Sequence, residues 1–441
     1  MFNFESKLQN LIKWIDNKDC LYSQNAKLSS LNPSSATNSS NQSYISSNLV
    51  VKDVEGSGRG IYTNATLTSD TKIIRVPHKY LLNFKTVLSA LSRYLKNTSV
   101  DTGDDEITKV YKLFTLEEFS KLTSFQLLSF YITLEKKRGF SSFWKPFLDT
   151  LASEDDFKFM PLYFSDNVFG LLPKTTKKHA TIVKTRFERD YELVKNLLLS
   201  KNLDKQTVEN LLPKSEFLLS WLNINSRCLY MTLPTSHTTE DNFTLAPYID
   251  FINHSDDDQC HMKIDSLGFH VTTSTKYEVG DQIFFNYGPH SNELLLCEYG
   301  FIIPHNKWDD LNISEQLISK MSNSQIDFLK DQDYFDNYTL NSEGLSFRTE
   351  VCLATLQEPM PGESRKLRAL INGIIDNESY RKGNTILIKS ILNEIIHESN
   401  SHQYLQFSNA DNNNDNKQRK QLIGALYKNR SKLAENYLMS I

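Results

Sequence analysis

The sequence predicts an α+β fold in which two β-rich parts are separated by a long helical insertion and followed by a helical C-terminal region. Three observations lead there. Short apolar runs, Leu49-Val50-Val51 and Lys72-Ile73-Ile74-Arg75-Val76, bracket a glycine-rich segment and read as strands. From about 84 to 232 the apolar residues recur at helical spacing. Residues 245–288 return to β character, and beyond about 309 the helical spacing resumes.

Residues 4–16 predict an amphipathic helix with Phe4, Leu8, Leu11, Ile12 and Ile15 on one face. A Ser- and Asn-rich stretch, roughly 23–48, reads as loop or linker. The glycines of Gly56-Ser57-Gly58-Arg59-Gly60 read as a turn between the two strands, and Pro77 ends the second. Within the insertion, helices are expected from Thr123 or Ser124, over 177–200 and over 215–230. Met262–Ile264 and Phe269–Thr273 flank an Asp265-Ser266-Leu267-Gly268 turn and predict a hairpin. Gln282–Phe285 reads as a short strand, and Ser291–Tyr299 as a helix closed by Gly300. The Asn/Asp tract 408–416 reads as a solvated loop. The boundaries follow: 1–48 for the helix and linker, 49–310 for the β-rich domain with its insertion, and 311–441 for the helical domain.

A chain of 441 residues is too long for one compact core. The net charge of -4 lacks the basic excess of a direct nucleic-acid binder. Cys20, Cys228, Cys260, Cys297 and Cys352 are widely scattered, without a Cys-x-x-Cys pair, as reduced thiols would be. The first fifteen residues include Glu5, Lys7 and Lys13 and hold no apolar signal core. No run approaches a membrane span. The expectation is a monomer in the cytoplasm, with the nucleus as a second location.

Four segments carry candidate chemistry. Gly58-Arg59-Gly60 permits close backbone approach to a ligand, although alone it is an ordinary hairpin turn. Its spacing is neither a dinucleotide fingerprint nor a phosphate loop. The apolar run from Ala246 ends in Asn253-His254-Ser255, which offers donors and acceptors or simply caps a turn. Asn286-Tyr287-Gly288-Pro289 places a tyrosine at a strand end. Glu298-Tyr299-Gly300-Phe301 reads as a helix end with aromatic anchors.

The order of these segments, with Asn225-Ser226-Arg227 ahead of Asn253-His254, resembles the SET-domain methyltransferases. Within them it resembles the branch of the Rubisco large-subunit methyltransferase, related human SET-domain proteins and the fungal ribosomal-protein lysine methyltransferases. The segment Asn223–Phe301 is its most specific part. The resemblance implies a split SET domain, with small sheets and knot-like threading, and a C-terminal substrate-binding domain.

It also implies S-adenosylmethionine as methyl donor, without a metal. Gly58, Arg59, Gly60, Arg227, Asn253, His254 and Phe301 would hold the donor, with Glu55 or Ser57 nearby. Tyr287 would be the catalytic tyrosine and would touch the donor too. Tyr299 and Tyr248 would contact the substrate, and Tyr299 or Phe301 would wall the lysine channel or the adenine pocket. The scattered cysteines depart from the zinc clusters of histone-type SET enzymes.

Holding a lysine amine neutral at pH 7 costs roughly 4–5 kcal/mol, and an apolar channel lowers that cost. The implied activity is protein-lysine N-methylation, with a ribosomal protein of the large subunit as substrate. The alternatives are the same fold acting on histidine, a non-catalytic SET binding module, and a metal site at His254, Cys260 and His261. The last suffers because Cys260 and His261 are adjacent and would point to opposite sides of a strand.

Overall fold

The structure is a computed structural model that describes residues 3–16, 43–54, 58–96, 104–232, 242–257, 260–407 and 413–441. Two units emerge: residues Met1–Phe157 with Ile182–Tyr287, and residues Lys158–Thr181 with Gly288–Ile441.

In the first unit the N-terminal helix is Phe4–Ile15, capped by Asn3, with Leu8, Leu11, Trp14 and Ile15 buried. Two four-stranded sheets carry the β-rich part. One orders Tyr44–Ile45, Lys72–Val76, Gly268–Thr273 and Cys260–Asp265, antiparallel throughout. Phe269, Val271 and Thr273 are buried in alternation, the period expected of a strand with one packed face. The other orders Leu49–Val54, Gly58–Thr63, Gln282–Phe285 and Asn253–His254, and its last pair is parallel.

Three expectations change here. Tyr44–Ile45, placed in the polar linker, is an edge strand paired with Arg75 and Ile74. Gly58–Gly60 are not a turn but the start of a strand, with Gly58 opposite Val54 and Gly60 opposite Lys52. That register leaves only 55–57 for the connection, and those residues lie outside the described set, as do 17–42. Lys72–Val76 joins the other sheet. Glycine's low strand propensity argued for a turn, and the ladder with Leu49–Val54 overrides it.

The helix Ser124–Arg138 begins at a capping box between Thr123 and Gln126. It is buried on nearly every side, so its polar residues must be satisfied internally. Glu135 pairs with Arg138 at 3.3 Å and accepts from the Tyr111 and Ser142 hydroxyls. Lys214–Arg227 joins it through Thr133 and Ser220, whose hydroxyls lie 2.9 Å apart. This helix stops at Arg227 rather than 230, because Leu229–Tyr230 pair as a strand with Phe243–Thr244. Asn225 and Arg227 therefore project from its last turn.

In the second unit the helix Asn292–Tyr299 is closed by Gly300 at φ 86°, the left-handed backbone that glycine tolerates best. The region beyond 309 is mainly helical but contains a three-stranded sheet, Asp310–Asn312, Thr339–Asn341 and Gly344–Leu345. These strands are too short for a period-two signal. With helices Phe347–Leu356, Arg381–His402 and Asn414–Ser440 they enclose Leu311, Leu340, Leu353, Ile388, Ile391 and Leu392. The Asn/Asp tract is only partly a loop candidate. Its residues 408–412 lie outside the described set, while Asn413 caps the final helix.

Beside the first strand of that sheet, Asp309 accepts from the backbone and side-chain nitrogens of Asn292 at 2.8 and 2.9 Å. Glu293 is ion-paired with Arg430. Burial, then the carboxylates of Glu293 and Asp309, push the Asp310 carboxyl up to about 7. The unfolded chain releases this proton near 4, so across roughly pH 4–7 the folded unit binds more protons than the unfolded chain. Stability from this group is therefore lost as pH rises through that window. Asp310→Asn, which cannot ionise, is expected to gain thermal midpoint relative to the parent chain as pH goes from about 5 to about 7.5. A pH-independent difference between the two melting curves would remove Asp310 as the cause.

Candidate active site

The parallel pairing sets Asn253 opposite Phe284 and His254 opposite Phe285. The chain then turns so that the Tyr287 backbone N–H donates to His254 Nδ1 at 3.0 Å. With Nδ1 accepting, the neutral imidazole carries its proton on Nε2. The His254 and Tyr287 rings lie 5.1 Å apart. The Tyr287 hydroxyl donates to the Ile252 carbonyl at 2.8 Å, and the Ser255 N–H to the Phe285 carbonyl at 3.1 Å. Two stretches more than thirty residues apart are thereby joined by backbone and side-chain bonds.

Gly60 stands where this pair meets the hairpin Leu49–Thr63. A Cβ there would lie 2.4 Å from Gln282 Nε2, 2.9 Å from Val54 Cγ2 and 3.0 Å from Asn253 Nδ2. Both amide nitrogens are buried and have no hydrogen-bond partner among the described residues. Gln282 Oε1 accepts from the Tyr62 hydroxyl at 3.1 Å, and its Nε2 faces Gly60. Two unfilled N–H donors beside a bare backbone are suited to an acceptor group such as a carboxylate.

Arg227 adds positive charge. Its Nη1 donates to the Asp250 carbonyl at 3.1 Å and stands 3.5 Å from Asp250 Oδ2. The Asp250 side chain is fully buried, and burial raises its carboxyl above the usual range against the opposing pull of Arg227 and Arg59. The Arg59 side chain has partners of its own. Its guanidinium donates to the Thr150 carbonyl at 3.1 Å, lies 3.5 Å from Asp156 and stacks over Phe4 and Phe251. The sequence thus brings Gly60, Asn253, His254, Tyr287 and Arg227 into one unit, while the side chain of Arg59 ties the N-terminal helix.

Tyr248, expected at the substrate, is 1% exposed. It packs edge-on against Phe251 and holds φ at 69°, strained for a bulky residue. Tyr299 and Phe301 belong to the second unit, where their rings lie 6.2 Å apart and Tyr299 stacks on His290. Glu55 and Ser57 lie outside the described residues. Cys260 is buried with its sulfur 3.5 Å from the Tyr277 hydroxyl, and its neighbour His261 is exposed. Among the described residues no group of three or more His, Cys, Asp or Glu side chains is placed to hold a metal ion.

Sequence reasoning missed Gln282 and Asp250. Asp250 had a signal, a lone carboxylate inside the apolar run Tyr248–Ile252. Gln282 had none, because a glutamine opening a strand is unremarkable until the register is known.

The SET-domain family model matches residues 58–288, and the model described as the C-terminal domain of ribosomal lysine N-methyltransferase 2 matches 309–440. Ribosomal lysine N-methyltransferase 2 of Saccharomyces cerevisiae is 27% identical over 424 residues, covering 81% of this chain and 87% of that protein. Ribosomal lysine N-methyltransferase set11 of Schizosaccharomyces pombe is 29% identical, covering 78% of this chain and 82% of its own. A crystal structure of the SET domain of LSMT bound to lysine and AdoHcy superposes with a TM-score of 0.61 at 16% identity, covering 99% of this chain and 91% of that one.

Gly60→Ala drives a methyl group into the Gln282 and Asn253 amides. Both are ends of side chains that can swing away, so the chain is expected to fold with a loss of about 1–3 kcal/mol. Urea unfolding measures it, and unchanged stability would mean that Gly60 is not closely packed.

Proposed function

The chain belongs to the SET-domain family, and from that premise we propose that it is an S-adenosylmethionine-dependent protein-lysine N-methyltransferase acting on a ribosomal protein of the large subunit. One observation carries the chemical part: Tyr287, His254 and Asn253 are locked together beside Gly60 with two amide donors unfilled. The relatives that span four fifths of the chain support lysine as acceptor and a ribosomal protein as substrate by their names.

The residues suit the donor. Its methionine end presents a carboxylate, and Asn253 Nδ2, Gln282 Nε2 and the Arg227 guanidinium supply N–H groups and positive charge for one. Gly60 lets that end approach the backbone. When bound, the donor supplies a methyl group already activated by its sulfonium. The protein then has to present a neutral amine in line with the S–methyl bond.

Tyr287 fits the role of orienting that amine. Its proton is committed to the Ile252 carbonyl, so its oxygen offers lone pairs to an amine N–H. An amine held by its N–H keeps its own lone pair for the methyl group. A phenol, whose free pKa is about 10, is poorly suited to act as a strong base.

Tyr287→Phe deletes the hydroxyl and keeps the ring against His254. Fold and S-adenosylhomocysteine affinity are expected to survive, while turnover falls by about a hundredfold, near 3 kcal/mol. Parent-like turnover in single-turnover assays would make Tyr287 a packing residue. Asn253→Ala is expected to weaken S-adenosylhomocysteine binding at least tenfold by calorimetry, about 1.4 kcal/mol, and undiminished affinity in a folded variant would remove Asn253 from the donor site. For the substrate, intact-mass spectra of ribosomal proteins from cells with and without the gene should differ by multiples of one methyl group in a large-subunit protein. If all ribosomal masses agree and another protein changes, the ribosomal part of the proposal is wrong.

A further inference from the structure

Asp250 is a carboxylate that the proposed chemistry does not use. Its side chain has no exposed surface, and apart from Arg227 and its own backbone its oxygens have no hydrogen-bond partner among the described residues. Its charge partner is Arg227, at 3.5 Å, whose Nε is likewise buried without a hydrogen bond. Arg59 lies close enough to be felt by both Arg227 and Asp250, and its own guanidinium is depressed by burial and then by Arg227. The arrangement is two cations around one buried anion, with Asp156 at the far side of Arg59. Asp250 sits in the 3-10 turn Ile249–Phe251, two residues before the Ile252 carbonyl that takes the Tyr287 proton and three before Asn253.

We infer that Asp250 is a positioning residue: its buried carboxylate, with the Asp250 carbonyl, aims the Arg227 guanidinium so that a ligand carboxylate meets it in one orientation. The inference rests on the methyltransferase reading and names a residue behind the donor site. A carboxylate that only supported the fold would be bonded by its neighbours, as Glu135 is by Tyr111, Ser142 and Arg138. Asp250 instead touches the fold through the arginine. With Asp250 neutral, the guanidinium would keep its charge and its backbone bond but lose the partner that sets its tilt. The two arginines would also repel one another without a counter-charge between them.

The test uses the full chain and calorimetric titration with S-adenosylhomocysteine. Asp250→Asn preserves volume, and it is expected to raise the dissociation constant about tenfold while turnover at saturating donor changes less than threefold. That split separates positioning of the donor from damage to the reaction centre. Arg227→Ala is expected to weaken binding at least as much, and Arg227→Ala with Asp250→Asn no further than Arg227→Ala alone. Additive losses would overturn the inference, because Asp250 would then act without the arginine. So would unchanged affinity in folded Asp250→Asn. If that variant does not fold, Arg59→Gln with Asp250→Asn restores the charge balance. It should bind about tenfold more weakly than Arg59→Gln alone, and equal binding would overturn the inference. A parent chain that binds no S-adenosylhomocysteine would remove the methyltransferase reading and this inference with it. If the parent binds and only the Asp250 results fail, the reading stands without the inference.

Discussion

The site depends on one short parallel pairing. Asn253–His254 and Phe284–Phe285 form only two paired positions, yet they join segments that the chain visits far apart. A slip of one residue would send Asn253 to the opposite face of the sheet and put His254 in its place. Two residue pairs of ladder are too few to fix register by themselves. The register is held by the bonds around it: Tyr287 N–H to His254, the Tyr287 hydroxyl to Ile252, and Ser255 N–H to Phe285. The same groups that define the site therefore also define the strand that carries it. Gly60 completes the constraint from the other side, since a Cβ there would lie 2.4 Å from the Gln282 amide nitrogen and 3.0 Å from that of Asn253.

How much of this was legible in the sequence differs by element. The helix starting at Thr123 was readable because its capping residues and apolar spacing agree. The hairpin around Asp265–Gly268 was readable because β-branched and apolar residues alternate on both sides of a turn. The glycine segment was misread, because Gly58 and Gly60 signal a turn locally while their strand pairing is decided by Leu49–Val54. The small sheet of the second unit was invisible, since runs of two or three residues carry no period.

The candidate site shows the same division. Asn253, His254 and Tyr287 stood out through their order along the chain, which reflects the family's topology. That order says nothing of bonds, and the Tyr287 bond to Ile252 and the approach of Gln282 to Gly60 exist only in the folded chain. Arg59 is instructive in the same way. The motif around it was legible, but its guanidinium serves the N-terminal helix, stacked on Phe4. A motif gives the position of a backbone more securely than the direction of a long side chain.

The contrast between satisfied and unsatisfied buried groups separates scaffold from site. Asn223, on the same helix as Arg227, uses its whole amide: Oδ1 accepts from Ala152 N–H, and Nδ2 donates to the Ala152 and Leu219 carbonyls. Asp190 accepts from Gln126 and Trp221. These groups stabilise the unit as it stands, because each exchanges water for a partner already in the fold. Asn253 Nδ2 and Gln282 Nε2 lack such partners among the described residues. Each unfilled buried donor or acceptor costs about 1–3 kcal/mol. A sequence that keeps two of them within one sheet holds that part of the fold less tightly than it otherwise would. A ligand that satisfies them returns the difference as binding free energy and stabilises the folded chain by mass action. Buried N–H donors of this kind suit a ligand that presents acceptor oxygens, as a carboxylate does.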